Sequence, residues 1–107
     1  MRLPRIPILA RRERVAIELD PVQVAAMRYL LKVKAAPLGM IYEHVFATHF
    51  IDLETFAFAM AETAASGLTI YGTQPGTGTT FIALAPLGKK LRGKLPYGRD
   101  SALTVYL

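Results

Sequence analysis

His44 and His49 are the only imidazoles in a chain without cysteine, and they stand five residues apart. With no thiolate and no carboxylate at ligand spacing they make a poor metal site; one is expected on the surface and the other at a helix end. Gly76-Thr77-Gly78 invites comparison with a phosphate-cradling loop, but no lysine follows at the spacing such a loop needs and no helix opens there. It reads as the tip of a hairpin. Ser66 and Ser101, the only serines, lie outside any nucleophile-elbow sequence. The tyrosines are scattered, with only Tyr97 close to basic neighbours, Lys94 and Arg99. No catalytic constellation emerges: an enzyme is not expected, nor is a cofactor or a bound metal.

The remaining chemistry is charge. The net +5 divides unevenly along the 107 residues. Residues 1–14 carry Arg2, Arg5, Arg11, Arg12 and Arg14 against Glu13, a net +4. Residues 15–88 carry Arg28, Lys32 and Lys34 against Glu18, Asp20, Glu43, Asp52, Glu54 and Glu62, a net −3. The last nineteen carry Lys89, Lys90, Arg92, Lys94 and Arg99 against Asp100, again +4. Basic ends around a mildly acidic middle would attract phosphate in a salt-dependent, sequence-independent way; the same residues could simply keep an apolar domain in solution.

The elements that must position these charges belong to one domain, because a single core typically serves ~100–200 residues. With 52% hydrophobic residues, five Phe and five Tyr, the chain can repay its ordering entropy without disulfides. No apolar run approaches the ~18 residues of a membrane span. Ile6-Pro7-Ile8-Leu9-Ala10 is too short for a signal peptide and is followed by charge. A soluble, cytoplasmic protein without membrane contact is therefore expected.

Residues 1–14, with Pro4 and Pro7, read as an extended basic arm. A short strand is predicted over 15–19. Asp20-Pro21 then starts a first helix over 21–35, with an N-cap acceptor followed by proline at the first helical position. Val24, Met27 and Leu31, with Leu30 beside them, form its apolar stripe; Gln23, Arg28, Lys32 and Lys34 lie off it. Pro37 stops it. A second helix is predicted over 39–47, with Ile41 and Val45 inward and Tyr42 and Phe46 as further candidates. A turn through Thr48-His49-Phe50-Ile51 leads to a third helix over 53–66, capped by Asp52 and ended by Gly67. Its predicted inner face is Leu53, Phe56, Ala57, Met60 and Ala64. The β-favouring runs 68–71 and 80–84, joined by a Gly/Thr-rich loop, read as a hairpin. A short basic helix or turn over 87–95 and a terminal strand over 103–107 complete the chain, the strand pairing with 15–19 or with another chain.

Three helices, the second and third joined by a tight turn, followed by a hairpin, resemble the winged helix-turn-helix family. Met60-Ala61-Glu62-Thr63-Ala64-Ala65-Ser66-Gly67-Leu68 is similar to the leucine-glycine-leucine exit of that family's recognition helix. Ala83-Leu84-Ala85-Pro86-Leu87-Gly88-Lys89-Lys90-Leu91 is similar to the leucine-threonine-x-x-glycine passage closing the wing of MarR-like and PadR-like regulators, with Ala85 in place of the threonine. The resemblance implies an α+β, mostly α, fold of three helices plus a two- or three-stranded β wing over residues 15–95, with 1–14 as an arm and 96–107 as a tail.

It also implies that the third helix enters the major groove, which draws base-reading positions from Asp52, Glu54, Thr55, Phe58, Ala59 and Glu62. None is Arg, Lys, Asn or Gln, the side chains suited to purine edges, and three are carboxylates. DNA contact is therefore expected from Arg11, Arg12, Arg14, Arg28, Lys32, Thr55, Gln74, Thr77, Lys89, Lys90, Arg92 and Lys94. Two functional readings stand side by side. One is a small transcriptional regulator binding double-stranded DNA as a homodimer. The other is a protein–protein interaction module, an adaptor or inhibitor of the kind a phage or mobile element encodes, meeting its partner through Phe46, Phe50, Glu54, Phe58 and Glu62. Phe58 and Ala65 fall away from the inner stripe, and a helix apolar on two sides calls for a cover: a partner subunit, residues 1–14 or the terminal strand.

Overall fold

The structure, a computed structural model, describes residues 15–96 and 98–107. Strand β1 (Ala16–Leu19) leads into helix α1 (Pro21–Val33), whose start is fixed by reciprocal bonds. The Asp20 carboxylate accepts from the Gln23 amide N–H at 2.8 Å, and the Gln23 side-chain oxygen accepts from the Asp20 N–H at 3.0 Å, a complete capping box. Gln23, expected off the apolar stripe, is instead buried. Its Nε2 donates to the Ala59 carbonyl at 3.0 Å and to Glu62 Oε1 at 3.3 Å, so one polar side chain closes the helix start and ties α1 to the third helix. Val24, Met27 and Leu30 are the fully buried stripe, with Leu31 only partly covered.

Helix α1 stops two residues earlier than the pattern suggests. Lys34 takes a positive φ of 74°, and Ala35–Pro37 forms strand β2 rather than a helix end. Proline disfavours helical geometry at the preceding residue, and β2 finds its backbone partners in a distant strand: Ala35, Ala36 and Pro37 stand opposite Ala83, Ile82 and Phe81. Tertiary pairing here overrides alanine's helix preference. Helix α2 (Leu38–His49) is longer than predicted and includes Thr48 and His49; it ends at Phe50, in the left-handed region at φ 45°. Ile41 and Val45 are fully buried, while Phe46 is exposed.

Helix α3 (Leu53–Ala65) is capped by Asp52, whose carboxylate accepts from the Thr55 N–H at 3.4 Å. Hydrogen bonding from the Thr55 side chain, reinforced by backbone N–H groups of the first turn, holds the Asp52 carboxyl below its ordinary pKa. The helix ends as expected at Gly67, φ 87°, where Leu68 N–H reaches the Thr63 carbonyl at 2.9 Å and Gly67 N–H the Ala64 carbonyl at 3.0 Å. The buried face, however, is Phe56, Ala59, Met60 and Thr63. Leu53 is exposed and Ala57 and Ala64 are half-buried, so the inner stripe is rotated from the one predicted. Thr63 is tolerated inside because its hydroxyl donates to the Met60 carbonyl at 2.7 Å and pairs with the buried Thr69 hydroxyl at 3.0 Å.

Strands β3 (Thr69–Thr73) and β4 (Thr80–Leu84) form the expected hairpin, and β2 joins β4 on its other side to give the order β2–β4–β3. Helix α4 (Pro86–Lys89) follows, and β5 (Leu103–Tyr106) pairs antiparallel with β1. The described residues form an α+β fold of four helices and two small antiparallel sheets around a core centred on Met27, Leu30, Phe56, Met60, Leu68, Ile82 and Leu91. No described helix is long and apolar enough to cross a membrane.

Candidate nucleic-acid interface

The basic segment after β4 is held by two tight features. Gly88 is buried, and a Cβ built there would lie 2.2 Å from the Leu68 carbonyl oxygen, so α4 packs on the chain at the end of α3 as only glycine allows. Bonds from Lys90 N–H to Leu87 and from Leu91 N–H to Gly88, both 3.1 Å, continue as a tight turn, and Lys94 N–H reaches Leu91 at 2.8 Å. With Leu91 fully buried as the anchor, Lys89, Lys90, Arg92 and Lys94 are all exposed. Arg92 Nη2 approaches the Leu31 carbonyl at 3.5 Å, beside the exposed Lys32, while the Lys34 carbonyl accepts from the Leu84 N–H at 2.9 Å. The end of α1 and the segment after β4 thus form one basic region.

Lys90 and Lys94 also line a cleft of about 370 Å³ with Tyr106 and Leu107. Leu107 exchanges two backbone bonds with Val15, at 3.0 and 2.9 Å. Val15 and Leu107 thus extend the β1–β5 pairing by one residue pair beside this cleft. Arg11, Arg12 and Arg14 themselves lie outside the described residues. Sequence reasoning had no means of placing Tyr106 beside Lys90 and Lys94 beyond the alternation of its strand.

Arg28 is differently engaged. Its guanidinium donates to the Pro96 carbonyl at 2.6 Å, to the Arg99 carbonyl, and to Asp100 Oδ1 at 3.0 Å, and Asp100 Oδ2 meets His49 Nε2 at 3.0 Å. This network fastens the segment 96–100 to α1 and α2. His44 is exposed and stacks on Tyr29 with ring centroids 4.4 Å apart. Among the described residues no group of three or more His, Asp or Glu side chains is placed to hold a metal ion.

The outward face of α3 presents Glu54, Thr55, Phe58 and Glu62, with no basic side chain anywhere on the helix. Ala59, among the positions suggested for base reading, faces the core, where its carbonyl is taken by Gln23. Asp52 serves as the cap. Phe58 stands nearly opposite the buried stripe and is 66% exposed; β5, paired with β1, does not cover it. Phe46 and Phe50 are also exposed and meet edge to face at 5.4 Å. The hairpin loop carries exposed Gln74 and Thr77, bonded to each other at 3.4 Å. On the other side of Glu62, an open cleft of about 510 Å³ is lined by Glu18, Asp20, Gln23 and Glu62.

Comparison of the chain with protein-family models, with curated proteins and with solved structures returns no match.

Proposed function

We propose that the chain is a winged helix-turn-helix domain that binds duplex DNA and acts as a small regulator, gripping phosphates with its basic region rather than reading bases with α3. The observation that carries this reading is that Arg92 reaches the Leu31 carbonyl at the end of α1, one residue from the exposed Lys32, while Lys90 and Lys94 border the end of β5. Support for the winged-helix frame comes from α2 and α3 joined by a short turn, and from β2 as a third strand on the hairpin. The two sequence passages similar to that family also pack together: Ala85 N–H donates to the Leu68 carbonyl at 3.0 Å and Gly88 lies against the same oxygen. Phosphate contacts position a protein without specifying sequence, which suits an α3 whose exposed side chains are acidic, apolar or small.

The test is fluorescence anisotropy with a labelled mixed-sequence duplex over a salt series. Affinity is expected to fall steeply with salt, by ~0.9 in log–log slope for each phosphate neutralised, and the Lys89→Glu, Lys90→Glu double variant should weaken binding to all sequences and flatten that slope. Unchanged binding by the double variant removes the assignment of the site.

A second reading, a protein-interaction surface on α3 used by a partner or by a second copy, is favoured by Phe58 standing exposed between Glu54 and Glu62. Light scattering of Phe58→Asp against the parent chain tests it: a folded variant that no longer associates supports this reading, and unchanged mass refutes self-association through Phe58.

A further inference from the structure

We infer that Tyr106 is a stacking platform for an unpaired base, with the neighbouring phosphates held by Lys90 and Lys94, so that the basic region that grips duplex phosphates also takes single-stranded nucleic acid. This rests on the nucleic-acid reading of the same region and names the form of substrate. Val105 must face the core, so the alternation of β5 turns Tyr106 outward, where it remains 56% exposed. Its partner across the sheet is Ala16, a side chain too short to cover a phenol ring. The ring's place on the surface is set by β5, whose register with β1 is fixed by the Val15–Leu107 bonds immediately beyond it.

Lys90 and Lys94 border the same open cleft as Tyr106. An exposed π-face with two ammonium groups beside it is the combination that single-strand binders use: the ring stacks on any base and the lysines follow the backbone. A duplex keeps its bases stacked on one another and offers this cleft only phosphates. Tyr106 therefore discriminates between the two forms while Lys90 and Lys94 serve both.

The experiment compares anisotropy titrations of a labelled mixed-sequence single strand and of the duplex made from it. Tyr106→Ala is expected to weaken single-strand binding roughly ten- to hundredfold and to change duplex binding less than about twofold, while Tyr106→Phe retains both. Tyr106→Thr, a strand-favouring residue without a ring, repeats the test should alanine disturb β5. The chain has no tryptophan, so its tyrosine emission is directly observable; an unlabelled strand should quench it, and quench it less in Tyr106→Phe. Equal loss on both forms, or none on the single strand, overturns the stacking role, and the lysine variants then show separately whether phosphate binding survives. Failure of the parent chain to bind either form at low salt overturns the nucleic-acid reading itself and this inference with it.

Discussion

Replacing Gly88 by alanine sets two physical effects against each other, and the structure decides between them. On helix propensity alone Gly→Ala within α4 should stabilise by up to ~1 kcal/mol. The added methyl, however, would sit 2.2 Å from the Leu68 carbonyl oxygen and 3.0 Å from Leu84 Cδ1. Restoring a tolerable contact of 3.0 Å to that oxygen requires a shift of roughly 0.8 Å between α4 and the backbone at Leu68. Leu68 is fully buried and its carbonyl accepts from Ala85 N–H, so neither side moves freely. Overpacking costs ~1–3 kcal/mol and a weakened backbone bond ~0.5–1.5 kcal/mol more, leaving after the ~1 kcal/mol propensity gain a net loss centred near ~2 kcal/mol. For a domain of this size that lowers Tm by roughly 10–20 °C. Thermal unfolding followed by circular dichroism measures it. Gly39→Ala is the matched control: nothing lies within 4 Å of the added methyl, and Tm should rise by a few degrees. If both alanines stabilise, α4 does not approach the Leu68 carbonyl as described and the positioning of the basic segment loses its foundation.

Asp100→Ala removes the carboxylate shared by Arg28 and His49; with these side chains partly exposed, urea unfolding should show a loss of about 1 kcal/mol at unchanged m-value. Thr63→Val strands the buried Thr69 hydroxyl and should cost ~1–3 kcal/mol, while the double change Thr63→Val, Thr69→Val should recover much of that loss, a coupling measured by a double-mutant cycle. Desolvation raises the Tyr71 phenol above its ordinary pKa, so its contribution is complete below the unfolded value near pH ~10 and is lost as pH rises towards the folded one. Urea midpoints measured across that alkaline range should therefore fall less for Tyr71→Phe than for the parent chain.

Local chemistry accounts for what was legible in the sequence. Asp20-Pro21, Asp52 and Gly67 each act on backbone groups within a few residues, and they begin or end helices where expected. Strand β2 carries no such signal: three residues, Ala-Ala-Pro, become a strand because β4 lies alongside. The rotation of the α3 stripe has a similar origin, since hydropathy turns Thr63 outward whereas its two internal hydrogen bonds let it face the core, with Ala59 beside it. In the candidate site, residue type revealed the charges but not their company. Arg28 is basic in any reading; that it clasps Pro96, Arg99 and Asp100 depends on a segment with no periodicity at all. The placing of Tyr106 beside Lys90 and Lys94 follows from one strand pairing between residues far apart in the chain.

That pairing also shapes how the molecule assembles. The turn from α2 to α3 and the β3–β4 hairpin are contacts between near neighbours in sequence, cheap to close and fast to form, whereas β1 must await β5 from the far end of the chain. The small β1–β5 sheet is thus the natural last step of folding and the first to open in native-state hydrogen exchange, ahead of the helices beneath it. Each opening would carry Tyr106 and the root of the N-terminal segment away from Lys90 and Lys94 while the core holds, so the amide protons of Ile17 and Val105 become clocks for the lifetime of the basic surface.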